Sequence, residues 1–232
     1  MCNYQDFGLK RDNLYEVIVT TYSNIEESKE IRPHASCMGI RLIEEGQIQI
    51  SPFYSTITYK NLKNFSVIMI NFVDNVYLYA LAALKEQNSP IGLTNFPSKY
   101  YSFKHLESLA MDVPFITKSW GIMVGKVSHE FQKTKKDDLG EVMIPVFKLD
   151  IIFSERFRES NKLFNRAENL ALEAVILATR LKIAKQNKDK TQFMKIHSKI
   201  LDYIENIERF GKNKNALKVI ELINDYVSKL KI

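Results

Sequence analysis

The sequence predicts an α+β chain, with a β-rich domain over residues 1–155 and a helical domain over residues 156–232. Three observations carry this. Short apolar runs separated by turn residues fill the first two thirds; the apolar period changes from two to three-and-four near residue 155; beyond that point the helical stripe recurs three times. At 232 residues and 45% hydrophobic content, the chain holds enough apolar material for one large or two small cores.

The elements follow in order. Leu14 to Thr20 is a β-branched run that reads as a strand, and Tyr22 to Ser28 reads as a polar turn. Ala35 to Leu42 is a strand of small and apolar residues. Its short side chains leave the backbone accessible either to a flat ring or to another element passing over it. Glu44-Glu45-Gly46 is a hairpin turn, and Gln47 to Ile50 alternates as a half-buried strand does. Phe65 to Phe72 is a third apolar run, and Asp74 to Leu84 carries its apolar residues in helical order. Lys85 to Tyr101, rich in Gln, Asn, Ser, Pro and Gly, reads as a long surface loop. Phe115 to His129 reads as one long strand, with glycines suited to bulges. Lys133 to Gly140 reads as a charged turn, and Val142 to Phe153 as the last strand, with Pro145 marking an edge or a bulge.

The helical stripes comprise Phe164, Ala167, Leu170, Ala171, Ala174, Val175, Ala178 and Leu181; then Phe193, Ile196, Ile200, Tyr203 and Ile207; then Leu217, Ile220, Ile223 and Val227. Gly211 separates the second from the third.

Charge and cysteine content narrow the function classes. The net charge of +6 is spread along the chain, and its densest basic run, Lys133-Thr134-Lys135-Lys136, is followed at once by Asp137-Asp138. That pattern fits a solvated surface better than a nucleic-acid interface, and it is compatible with a small anionic ligand. Cys2 and Cys37 give no metal-ligand spacing, and His105, His129 and His197 lie far apart, so no metal is expected. The N-terminus has no apolar leader, and no apolar run approaches the ~20 residues of a membrane span, so no membrane contact and a cytoplasmic location are expected. Ser-His-Asp order, paired carboxylates, a G-x-G-x-x-G fingerprint and a Walker loop are absent from the sequence, which removes the usual warrants for hydrolase, Rossmann dehydrogenase and kinase readings.

The chemistry concentrates in Ser51 to Asn61, SPFYSTITYKN, where hydroxyls and a lysine crowd between a strand and a short helix. Such a segment either binds an anion on its free backbone N–H groups or simply caps the helix. EVIVTT (Glu16 to Thr21), ASCMGIR (Ala35 to Arg41), STITYKNL (Ser55 to Leu62), the run ending in Ile70-Asn71, and NRAENLALEAVILATRL (Asn165 to Leu181) occur in that order. Together they resemble the FMN-binding split-barrel flavoproteins, above all a functionally uncharacterised, largely archaeal branch with a helical C-terminal domain.

The resemblance implies a six-stranded antiparallel split β-barrel with one or two inserted helices, followed by a C-terminal three-helix domain, and it implies FMN. It places Ser55, Thr56 and Thr58 on the phosphate and ribityl side, with charge from Lys60 or Arg41 according to strand register; Arg41 is the residue chosen. Ser36, Cys37 and Met38 are assigned to the flavin ring through their backbone, with Cys37 a packing residue rather than a nucleophile. Asn71 matches the strand-terminal Asn of the family. Arg166 either completes an anion site or pairs with Glu168, and His34 either meets a flavin edge or is a loop residue. The implied activity is a flavin-dependent oxidoreductase taking electrons from a reduced nicotinamide or a deazaflavin. The competing reading is a non-enzymatic binding or assembly protein that retains the barrel. No catalytic side chain is assigned. A homodimer is expected to enclose the flavin, with the aromatic segments around Tyr54, Tyr59, Tyr77, Tyr79 and Trp120 buried against the second copy.

Overall fold

The computed structural model describes residues 4–24, 31–85, 95–137, 140–160, 165–210 and 213–230. Six strands close an antiparallel barrel in the order β1 (Leu14–Asn24), β2 (Ile31–Glu44), β3 (Gln47–Ile50), β8 (Gly140–Arg156), β7 (Gly121–Asp137) and β4 (Val67–Phe72), and β4 pairs back onto β1. Alternation decides what faces inward. Val17, Val19, Ile40, Leu42, Ile48, Ile50, Ile68, Ile70, Met123, Phe147 and Leu149 fill the lumen, joined by Phe7 and Leu9 from the N-terminal segment. Each such fully buried side chain contributes roughly 1.5–3 kcal/mol of transfer free energy.

Helix α1 (Ile57–Phe65) closes one end of the barrel. Thr56 caps its start by accepting from Tyr59 N, and Leu62 reaches the lumen cluster. Ser66, left-handed at φ 56°, turns the chain straight into β4.

A second, two-stranded sheet consists of β5 (Tyr101–Leu106) and β6 (Met111–Ile116). It packs on the outer face of the barrel. Leu106 and Val113 share a cluster with the outward residues Met69, Ile122 and Val124. Thr20 Oγ1 and Tyr22 OH donate to the carbonyls of Pro114 and Asp112. The expected single strand from Phe115 is therefore two elements, because Thr117 to Trp120 turn the chain between β6 and β7. Register shifts next to Gly125 and at Val127/His129 bend β7, as the glycines of that run suggest. Lys133 to Asp137, expected in a turn, are paired residues of β7 opposite Gly140 to Ile144. Pro145 pairs with Gln132 beyond the stretch where β8 meets β3, on a two-stranded arm where a missing N–H has no second ladder to disturb.

The chain divides into two compact units, residues 1–74 with 96–160, and residues 75–95 with 161–232. The second unit contains α2 (Val76–Ala83), α3 (Arg166–Gln186), α4 (Lys190–Phe210) and α5 (Lys214–Ser228). The division thus falls at 160/161 rather than 155/156, and α2, although inserted in the barrel sequence, packs with α3 and α5. Its composition explains this. Val76 and Leu78 to Ala82 are all buried, so the helix is apolar all round and needs partners on every side. The expected polar turn at Tyr22 to Ser28 is strand as far as Asn24; residues 25–30 of it, and 86–94 of the expected long loop, lie outside the described residues.

None of the described helices is long and apolar enough to cross a membrane.

Candidate functional site

The outer face of the barrel is unevenly covered. Over β4, β7 and the far half of β1 it lies under the β5–β6 sheet; over the near half of β1 and the middle of β2 it does not. There a cleft of about 500 Å³ opens, within the range of small-molecule sites. Register builds its floor. Glu16 pairs with Gly39, Leu14 with Arg41, and Arg41 with Gln49, all at positions of outward parity. The arm supplies the wall through Lys133, Thr134 and Ile144, and Met38, Ile50 and Ser51 complete the lining.

Two features of β2 make this place suited to a flat ligand. The ladder to β3 stops at Ile40, so the preceding residues of β2 have β1 as their one strand neighbour in the barrel. Gly39 adds no side chain to the floor, and the Leu14 side chain lies over it, so a ligand reaches this backbone once Leu14 moves aside. A Cβ there would lie 2.9 Å from Leu14 Cδ1 and would stand on the cleft floor. The lining is amphipathic: Arg41 and Lys133 are cationic against the single carboxylate of Glu16, Gln49, Ser51 and Thr134 are polar, and Leu14, Met38, Ile50 and Ile144 are apolar. A planar ring with a phosphate-bearing tail matches that composition, so these residues fit FMN.

Arg41 is held in place. Its Nη1 donates to the carbonyl of Asp12 at 2.7 Å. Among the residues chosen from sequence, Met38 and Arg41 line the cleft. Cys37 is half-buried and of outward parity on the same strand. The hydroxyl group divides differently. Thr58 is buried and its Oγ1 lies 2.7 Å from Ser36 Oγ, so these two pin α1 to β2. Thr56 donates to Phe53 O and accepts from Tyr59 N, which is the helix-cap arrangement. Ser55 is exposed beside it. Asn61 continues the polar seam, donating to Thr21 Oγ1 and Ser23 Oγ at 2.8 Å each.

Asn71 is fully buried. Its Nδ2 donates to Ile18 O and Thr20 Oγ1, and its Oδ1 accepts from Ile116 N at 2.8 Å. The protein's own groups satisfy it, so it acts as the bolt between β1, β4 and β6. Arg166 lies in the helical unit, exposed at the first residue of α3, where Asn165 provides the N-cap.

The aromatics expected at a subunit interface are packed within the chain. Tyr54 meets Tyr59 edge-on at 5.0 Å, Tyr59 meets Phe147, and Trp120 stacks among Phe7 and Phe72. Tyr79 is buried, and Tyr77 lies under the Lys218 ammonium. Tyr59 OH also donates to Glu130 Oε1, and Lys63 donates to Glu130 Oε2. Burial, reinforced by the Glu130 carboxylate, pushes the Tyr59 phenol above its ordinary pKa.

Leu14, Glu16, Gly39, Gln49, Lys133, Thr134 and Ile144 were not singled out from sequence. Leu14, Glu16, Gly39 and Gln49 share outward parity at paired positions, and Lys133, Thr134 and Ile144 come with the arm, so both signals become readable only once the register is fixed. No cluster of three metal-ligating side chains occurs among the described residues.

Comparison with known proteins adds a likeness of fold. No curated protein matches the sequence. Among solved structures, an FMN-bound DUF447 protein from Methanosarcina mazei superposes with a TM-score of 0.71 at 16% identity, over 97% of this chain and 100% of that one. A flavin reductase domain protein from Arthrobacter sp. FB24 gives 0.45 at 13% identity, over 67% of this chain and 84% of that one. The flavoredoxin of Desulfovibrio vulgaris (Miyazaki F) gives 0.43 at 16% identity, over 62% and 69%. At 16% identity the likeness to the Methanosarcina mazei protein is one of fold, a split barrel. Residues 15–109 match the family described as protein of unknown function (DUF447) N-terminal domain.

Proposed function

We propose that the chain is an FMN-binding flavoprotein and that the cleft over Gly39 is its flavin site. The observation that carries this reading is the cleft itself: a glycine floor where the β3 ladder has ended, flanked by Arg41 and Lys133 and by apolar side chains. The Methanosarcina mazei protein of the same fold, which is FMN-bound, supports it. Arg41 and Lys133 meet the phosphate; Leu14, Met38, Ile50 and Ile144 cover the apolar ring surface and exclude water. Bound FMN supplies hydride and electron transfer. The finer assignment is an oxidoreductase fed by a reduced nicotinamide or a deazaflavin. We assign a homodimer to the active form, because Leu14 at the cleft and Phe131, Val142 and Met143 on the arm leave large apolar side chains exposed.

Protein purified gently is expected to absorb between about 350 and 500 nm, as bound flavin does, and colourless protein is expected to bind added FMN. Protein that stays colourless and gives no heat on titration with FMN would exclude the reading in favour of a non-enzymatic barrel. Gly39→Val locates the site. It should lower FMN affinity by roughly tenfold or more through overpacking of the floor, while exposed Leu14 swings aside and the fold survives. Light scattering with and without FMN tests the dimer, and a monomer saturated with FMN would overturn it.

A further inference from the structure

The segment before β1 reaches the cleft-lining Arg41 through the carbonyl oxygen of Asp12. We infer that Asp12 is a positioning residue, whose left-handed backbone holds the Arg41 guanidinium ready for the phosphate of the ligand and thereby sets a preference for phosphorylated over unphosphorylated flavin. The inference rests on the flavin reading of the cleft and goes beyond it by naming what selects the ligand's tail.

The segment is anchored at both ends. Phe7 is buried between Phe72 and Trp120, with ring centroids at 4.8 and 5.6 Å, and Leu9 is buried with it. Tyr15 OH accepts from Lys10 N at 2.9 Å and so closes the loop onto β1. Between these anchors Arg11 bridges to Leu42, and Asp12 N donates to Leu42 O at 2.9 Å. Asp12 has φ 63°, in the region where Asp and Asn are tolerated and β-branched residues are not. That conformation lets one residue face both ways. Its N–H binds the backbone of β2, and its carbonyl meets Arg41 Nη1 at 2.7 Å.

The Asp12 carboxylate is not the holding group. It lies 3.9 Å from Arg11 Nε, and both side chains are more than two thirds exposed, a surface pairing of negligible weight. Arg41 is a long side chain with large rotamer freedom, and a carbonyl engaging one Nη leaves the other donors of the planar fork for a bidentate anion. Restricting the guanidinium before the ligand arrives removes part of the entropy otherwise lost on binding. Lys133, on the opposite wall, adds a point charge.

The test measures affinities of the full chain for FMN and for riboflavin, which share the ring and differ in the phosphate. Wild type should prefer FMN. Arg41→Ala should weaken FMN by roughly 10- to 100-fold, the range for a charge-assisted hydrogen-bonded pair, and leave riboflavin unchanged. Asp12→Val, which disfavours the left-handed backbone, should weaken FMN alone by roughly three- to tenfold. Asp12→Gly, which retains that backbone and lacks the carboxylate, should restore the wild-type preference. Asp12→Ala, intermediate in strain, serves if the valine variant does not fold, and its riboflavin affinity reports the intact cleft. Asp12→Val or Asp12→Ala with unaltered FMN affinity would overturn the positioning role. Equal loss of FMN and riboflavin in Arg41→Ala would overturn the phosphate role. Wild type that binds both flavins equally would overturn the preference while leaving the flavin reading in place, and wild type that binds neither would remove the flavin reading itself.

Discussion

Asn71 shows how one side chain can stand in for a missing strand. β6 is not part of the barrel, yet Ile116 N is satisfied by Asn71 Oδ1, while Nδ2 returns to Ile18 O on the neighbouring strand. Because Asn71 has no exposure, water cannot replace it. Asn71→Ala should therefore lower barrel stability by about 2–3 kcal/mol, the cost of leaving buried partners unpaired rather than of one hydrogen bond. The chain's single tryptophan, Trp120, packs in the barrel unit, so urea unfolding followed by its fluorescence reads this unit specifically. A loss below about 1 kcal/mol would mean the site repacks. Resemblance assigns this residue to the flavin; its hydrogen bonds within the chain are not readable from sequence, since the strand-end pattern Ile70-Asn71 is local whereas Ile116 lies 45 residues away.

At the scale of elements, legibility followed the range of the interactions. The β2–β3 hairpin was readable because Glu44-Glu45-Gly46 and the alternation of Gln47 to Ile50 are local, and Gly46 does adopt φ 82°. The β5–β6 sheet was not. Tyr101 to Leu106 exposes the apolar Phe103 and half-buries the charged Lys104, and β6 contains Pro114, so neither strand shows the alternation of a barrel strand. Their partner is the outer face of the barrel, which no local pattern announces. The candidate site was half legible for the same reason: Arg41 and Met38 lie on a recognisable strand, whereas Lys133, Thr134 and Ile144 arrive through the pairing of β7 with β8. The hydroxyl-rich helix opening resolved largely into structure, with Thr56 as cap and Thr58 against Ser36. Thr56→Ala should accordingly lower barrel stability by about 1 kcal/mol, and exposed Ser55→Ala should change it by less than about 0.5 kcal/mol, in the same Trp120-monitored titration. Equal effects of the two would contradict the cap.

For the whole molecule, the consequential fact is that sequence order and packing order disagree. Residues 75–95 sit between barrel segments in the chain but belong to the helical unit, where α2 packs against α3 and α5. A cut chosen from the sequence alone, after residue 155 or 160, would leave α2 attached to the barrel and strip away its partners. Val76, Leu78, Tyr79, Ala80, Leu81 and Ala82 are buried in the intact chain, and the helix has no polar face to present to water instead. Fragment 1–160 is therefore expected to self-associate and to bind a hydrophobic dye. The same fragment with residues 75–95 replaced by a Gly/Ser linker should remain monodisperse, because all six barrel strands and the β5–β6 sheet lie within the first unit. Light scattering of the two fragments separates the cases. Association beyond a dimer by both would show that the additional apolar surface comes from the barrel, whereas a linker form that stops at the dimer would assign it to α2. The linker form also carries every residue that lines the cleft, so it should retain the flavin affinity of the full chain, measured by the same titration.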